Sequence, residues 1–183
     1  MIIDHSREKL LNLIAYFVKN TKNCKKTKLL KLLYYADFKH FKETGRSITG
    51  LKYYAWEQGP VPKDLYEEMN HPKQDFMDSL TVVPGEDIGV DIIVKKPADM
   101  KHFTKREMRI IEDTVFIFKD AIAKDMIECT HLPNEPWRTT LEKKGMFQEI
   151  DYTLALDSTK ESITLDEYRQ READFEEIKK VLE

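Results

Sequence analysis

Leu29, Leu30, Leu32, Leu33, Tyr34, Ala36, Phe38 and Phe41 crowd into thirteen residues, too densely for the narrow apolar stripe of a surface helix. A helix of this kind has to be enclosed by the rest of the chain. The stretch is therefore expected to be the central helix, capped at its start by Thr27 and stopped at the Thr44-Gly45 step, where Gly45 takes the left-handed conformation. With 183 residues there is enough chain to enclose such a helix in one hydrophobic core, and too little for two domains of ordinary size. The expectation is one domain over residues 1–183, with residues 158–183 forming a charged C-terminal helix.

The elements around the central helix follow from period and caps. Leu10, Leu11, Leu13, Ile14, Phe17 and Val18 mark a helix over about 5–20, capped near Asp4 or Ser6. From Ser47 to Gln58 the pattern turns aromatic and β-branched, and Tyr53–Trp56 reads as a short strand that breaks at Gly59-Pro60. Pro62 suits the first turn of the next helix, which carries Leu65, Tyr66 and Met69 and ends near His71-Pro72. The runs Thr81–Val83 and Ile88–Lys96 are expected to extend a small sheet. Thr104 with Glu107 forms a capping box before a helix running to about Lys124. His131–Trp137 is a loop leading to a helix capped by Asn134, with Pro136 in its first turn and Gly145 as its stop. Ile150, Tyr152, Leu154 and Leu156 alternate as in a strand, although a fixed coil fits them nearly as well. Thr164 and Glu167 repeat the capping box before a final helix with Leu165, Tyr168, Phe175, Ile178 and Leu182 on its apolar side. The fold class expected from this order is α+β, a mainly α-helical single domain with a small β-sheet.

Charge is distributed unevenly. Lys19–Lys52 holds ten basic and two acidic residues, net +8, whereas Glu142–Glu183 holds seven basic and twelve acidic, net −5. Such a dipole either steers a charged partner or lets the two ends attract each other inside one fold. The basic stretch KNTKNCKKTKLLK with Tyr34 and Tyr35 has the residue types of a nucleic-acid surface. Its lysines read more simply as the solvated face and entry turn of a core helix, and the overall acidity argues against DNA affinity.

Reaction chemistry leaves few marks. There is no GxGxxG, P-loop, GxSxG or HExxH. Cys24 and Cys129 form no CxxC pair and are read as reduced thiols. Cys129 and His131 lack a second ligand pair at zinc spacing. No metal, cofactor or catalytic residue is expected. No apolar run reaches the length of a membrane span, and the N-terminal MIIDHSREKL lacks a signal peptide's apolar stretch, so a soluble, cytoplasmic chain is expected.

The run KLLKLLYYADFKHFKETGRSITGLKYYAWEQGPVPKDLYEEM resembles the signature region of the Panacea, or SocA-like, antitoxin domain family, also known as DUF4065. The resemblance rests on K-L-x-K-L-L-Y-x-A-D at Lys28–Asp37, the Thr44-Gly45 turn, the aromatic strand ending at Trp56, and Gly59-Pro60-Val61 leading into Leu65-Tyr66. His131 followed by Pro136-Trp137 resembles a second landmark, so the likeness covers about residues 5–150. It implies a helical domain with a small sheet, not an enzyme, that neutralises a cognate toxin by direct protein contact. The toxin is expected from an adjacent gene, often in a prophage or mobile element. The family's founding member instead delivers its toxin to the ClpXP protease, so a proteolytic adaptor is the first alternative and a nucleic-acid-binding regulator the second.

Within the motif, Asp37, Gly45, Gly59, Pro60, His131 and Trp137 are read as structural. Asp37 needs a partner if buried, and Lys28, Arg46 or the backbone after Gly59 are the candidates, with an ion pair favoured. His131 is placed to cap backbone or stack near Trp137. The toxin-binding candidates are Lys28, Lys31, Lys39, Arg46, Tyr54 and Trp56, taken as exposed members of the basic helix and aromatic strand.

Overall fold

The central helix is where the sequence puts it. In the computed structural model, which describes residues 5–86 and 89–182, α2 (Lys26–Thr44) packs against neighbours on nearly every side. Leu29, Leu30, Leu32, Leu33, Tyr34, Ala36, Phe38 and Phe41 are all buried. Each such side chain contributes about 2 kcal/mol of transfer free energy. The helix ends as expected at Gly45, with φ +80° and its N–H on the Phe41 carbonyl. Its start differs: the cap is Lys25, and Thr27 lies inside the first turn.

α1 (Ser6–Asn20) lays Leu10, Leu13, Ile14 and Phe17 against α2. The cap is His5, with Ser6 already the first helical residue, and Asp4, the other candidate cap, lies outside the described residues. After α2 the chain forms a tight hairpin from β1 (Tyr54–Trp56) and β2 (Gly59–Val61), paired Tyr54 with Val61, Ala55 with Pro60 and Trp56 with Gly59. The turn is therefore Glu57-Gln58, and Gly59-Pro60 starts the returning strand where a strand break was expected. Pro60 fits there because the Ala55 N–H and C=O face the other way, to Gln148 and Phe147, so no ladder bond needs the N–H that proline lacks.

Pro62 precedes α3 (Lys63–Glu68) as its cap. A short α4 (Gln74–Ser79) follows, which the sequence reading missed, burying Phe76. β3 (Leu80–Pro84) and β4 (Val90–Val94) pair antiparallel as a second two-stranded sheet, separate from the first and not an extension of it. Ile88, at the head of the run assigned to this strand, lies outside the described residues. α5 (Lys105–Phe118) opens with the expected capping box: the Glu107 N–H donates to Thr104 Oγ1 at 3.2 Å, and the Thr104 N–H to Glu107 Oε2 at 2.7 Å. It stops well short of Lys124, and α6 (Ala123–Thr130) begins a new direction.

α7 (Pro136–Lys144) has Pro136 in its first turn and ends at Gly145, but its cap is Glu135, while Asn134 sits at φ +67°. The alternating segment after Ile150 is a 3-10 turn over Tyr152–Ala155, not a strand. Only a single bridge, Tyr54 to Glu149, continues the hairpin there. α8 (Leu165–Leu182) starts with the second capping box, the Glu167 N–H on Thr164 Oγ1 and the Thr164 N–H on Glu167 Oε2. Its expected apolar side is only partly used: Tyr168 and Phe175 are half-buried, Leu165 and Ile178 are exposed, and the Leu182 side chain lies outside what is described.

The buried residues fall into two clusters on either side of α2. The larger joins α1, α2, α5 and the β3–β4 hairpin. The smaller joins Tyr34, Phe38, Tyr53, Ala55, Trp137 and Ile150, with the rings of Phe38 and Tyr152 stacked 4.3 Å apart. This is an α+β, mainly helical single domain with two small antiparallel sheets.

Candidate protein-interaction surface

The hairpin that carries Trp56 is held from three sides. Asp37, on α2, is fully buried and accepts four hydrogen bonds: Oδ1 from the Ile48 and Thr49 N–H groups at 2.8 and 2.9 Å, Oδ2 from the Thr49 hydroxyl at 2.5 Å and the Tyr53 hydroxyl at 2.7 Å. The expected ion pair is absent among these contacts. The donors are uncharged and lie after Gly45, not after Gly59. Burial pushes the carboxyl up to about 6 while the four donors oppose that shift.

The second tie is Lys31. It is buried to 1% exposure, and its Nζ donates to the Pro60 carbonyl at 2.8 Å. Desolvation lowers its pKa to about 7. The third is Trp137, whose indole N–H donates to the Trp56 carbonyl at 2.9 Å. His131 stacks on Trp137 with centroids 3.9 Å apart and planes 7° from parallel, the stacking anticipated for it. Among the described residues, His131 Nε2 and Tyr34 Oη are buried without a hydrogen-bond partner. Burial, then the charges of Lys31 and Arg138, lowers the His131 pKa.

The lysine run departs most from its expected role. Lys26, Lys28 and Lys31 are buried, not a solvated face, and each ammonium reaches backbone carbonyls of a neighbouring element. Lys28 donates to the carbonyls of Lys22 and of Lys119, just past the C-terminal end of α5, at 2.8 and 3.2 Å. Lys26 donates to the Tyr66 carbonyl and Asn70 Oδ1 at 3.3 and 3.2 Å and sits 3.5 Å from the Tyr66 ring centroid. These are good positions for ammonium groups, because a helix's last carbonyls lack internal partners and carry its negative end.

On its outer side the hairpin borders a groove of about 480 Å³ lined by Lys26, Trp56, Tyr66, Asn70, Met146 and Phe147, among others. Trp56 and Tyr66 meet at 5.0 Å, and Phe147 stands edge-on to Trp56 at 6.2 Å. Phe147 is 65% exposed and holds φ +63°, a left-handed conformation that is strained for an aromatic residue. Large rigid rings around an amide and an ammonium, with the backbone beneath them fixed, make a surface suited to burying another protein's side chain.

The six candidate contact residues are not brought together. Lys28 and Lys31 face inward, so the expectation that they are exposed does not hold. Tyr54 and Trp56 are half-buried on the hairpin. Lys39 borders a different groove with Lys42, Glu135, Asp157 and Glu161, and its Nζ lies 3.9 Å from Glu161. Arg46 is exposed but lies against Phe175 of α8, 3.9 Å from the ring centroid. Sequence reading missed Tyr66, Asn70 and Phe147 as neighbours of Trp56. The available signal was Met146-Phe147, two bulky apolar residues in the loop after a helix-stopping glycine. Gly45 ends α2 in the left-handed conformation, Gly59 and Pro60 open the returning strand, Asp37 accepts from the Ile48 and Thr49 N–H groups, Trp137 donates to the Trp56 carbonyl, and His131 stacks on Trp137. Cys24 and Cys129 are free thiols, the first buried.

A family model described as "Antitoxin SocA-like, Panacea domain" matches residues 29–138, a shorter span than the 5–150 anticipated. No curated protein and no solved structure matches the chain. The matched segment runs from the first core leucine of α2 through Asp37 and the Trp56 hairpin to Trp137 on α7, and it covers more than half of the sequence, so the chain belongs to the SocA-like, Panacea family of antitoxin domains.

Proposed function

We infer that the protein is an antitoxin that neutralises a separately encoded toxin by binding it, with the Trp56 groove at the centre of the contact. The family supports the antitoxin role in general. The observation that carries the finer reading is the aromatic groove of Trp56, Tyr66 and Phe147 on a hairpin tied down through Asp37, Lys31 and Trp137. A preorganised aromatic surface loses little entropy when a partner docks, which favours a stable complex. The role requires no cofactor and no reaction. No helix among the described residues is long and apolar enough to cross a membrane.

The test is co-expression with the reading frame beside the gene. That frame is expected to be toxic alone and harmless with this chain, and the two products to co-elute. Trp56→Ala combined with Phe147→Asp is expected to abolish rescue while the purified variant, although less stable, still melts cooperatively. A harmless neighbour, or full rescue by the double variant, removes this reading.

The adaptor alternative draws on α8, which is exposed from Arg169 to Val181 apart from Phe175 and offers an unfoldase a surface away from the groove. Rescue that disappears in a ClpXP-deficient host selects it. A nucleic-acid-binding regulator draws less support, because Lys28 and Lys31, two of the basic residues it would use, are buried.

A further inference from the structure

Far from the groove, three potential ligands meet where α1 begins. His5 caps α1 and Glu8 lies in its first turn; His102 belongs to the segment that enters α5. One oxygen, Glu8 Oε2, lies 2.9 Å from His5 Nδ1 and 3.2 Å from His102 Nε2. The two imidazoles stack with centroids 4.1 Å apart, and the three donor atoms all fall within 4.8 Å of one another. The neighbouring cations are engaged elsewhere: Arg7 with Glu68 and Asp75, Lys9 with Glu107, and Lys101 with Asp99. Among the described residues, the side chains that contact the Glu8 carboxylate are two imidazoles, each able to offer a nitrogen lone pair.

We propose that His5, Glu8 and His102 form a site for a divalent transition cation of the zinc class, with the remaining position open to water. Two imidazole nitrogens and one carboxylate oxygen are a donor set suited to zinc and its neighbours and poor for magnesium or calcium, which prefer oxygen throughout. Ligand atoms about 2.1 Å from a tetrahedral ion sit about 3.4 Å apart. The two contacts to Glu8 are already near that spacing, and the imidazoles, stacked 17° from parallel, have to rotate out of the stack so that both in-plane lone pairs meet one ion. The ion replaces the proton-mediated contacts of Glu8 with both rings. In doing so it clasps the start of α1 to the entry of α5, two segments more than ninety residues apart in sequence, and stabilises only the folded chain.

The experiment uses untagged full-length protein, so that no added histidines compete. Zn²⁺ is expected to bind in one equivalent and to raise the melting temperature by about 5–10 °C at a hundredfold excess over Kd, while Mg²⁺ has no effect. Co²⁺ as a probe is expected to give visible d–d absorption. His102→Ala, at a half-buried ring, and Glu8→Gln, at an exposed carboxylate, are expected to weaken Zn²⁺ binding at least tenfold and abolish the cobalt spectrum. A wild-type melt unmoved by Zn²⁺, or variants that bind less than tenfold more weakly than the wild type, overturns the assignment.

Discussion

Asp37 is a buried carboxylate whose contacts are all neutral donors, so its two oxygens can be mimicked separately. In Asp37→Asn the amide oxygen can face the Ile48 and Thr49 N–H groups while the amide nitrogen donates to hydroxyls that rotate to accept. That variant is expected to cost less than about 1 kcal/mol at pH 7, whereas Asp37→Ala, which orphans two backbone donors, costs about 2–4 kcal/mol; urea midpoints compare them. The pH dependence has a definite sign. Because the folded carboxyl titrates near 6, above the ordinary 3.8, the folded chain retains a proton that the unfolded chain releases between those values. Its contribution is full below about pH 4 and lost by about pH 6, so the Asn variant gains on the wild type across that window. Lys31 behaves in the opposite sense. Its folded pKa near 7 lies below the ordinary 10.5, so the folded chain sheds a proton first. Stability should rise from about pH 7 towards pH 10 in the wild type and stay flatter in Lys31→Met, measured by the same urea midpoints. The sequence named Asp37 as a group in need of a partner but could not supply the right one. The donors come from a loop that returns to α2 only after Gly45, and that return depends on tertiary packing.

At the scale of elements, the hairpin depends on Gly59. Its φ is +98°, and a Cβ built there would lie 2.7 Å from Thr130 Oγ1 and 3.0 Å from Lys31 Nζ. Gly59→Ala is expected to cost about 2–4 kcal/mol, from strain and from displacing the lysine that holds Pro60. Gly145→Ala also faces a positive φ, but nothing lies within 4 Å, and about 1 kcal/mol is expected. Equal losses in the two melts would refute the steric argument. The apolar periods of α1, α2, α5 and α7 were legible from the sequence, but of their caps only the Thr104 box of α5 was, since α1, α2 and α7 start after His5, Lys25 and Glu135. The end of α5 was not, since apolar residues continue past Phe118. The chain breaks because the Lys119 carbonyl is taken by the Lys22 N–H at 2.7 Å and by the Lys28 ammonium, contacts that no local pattern contains. The Glu57-Gln58 turn was also hidden, because Gly59-Pro60 carries a stronger turn signal than the residues that actually turn.

For the molecule as a whole, the uneven charge has a largely internal explanation. Lys42 meets Asp157 at 2.5 Å, Lys39 approaches Glu161, and Arg171 of α8 donates to the Thr44 carbonyl at the end of α2. Tyr168 lies over Gly45, 3.2 Å from where a Cβ would stand, and 5.1 Å from the Phe41 ring. These contacts join the acidic tail to the basic end of α2, but they are few and mostly exposed. Truncation after Thr164 is expected to leave the fold intact and lower the melting temperature by about 2–6 °C. Direct inhibition predicts that the truncated chain still protects cells, whereas an adaptor that uses α8 loses protection. The Trp56 hairpin has a different balance: its strands are anchored from beneath, while Glu57 and Gln58 at its tip are exposed. Mutation can therefore lengthen or rewrite that tip without disturbing the scaffold, so that under the proposed toxin contact specificity is free to drift while the architecture stays put.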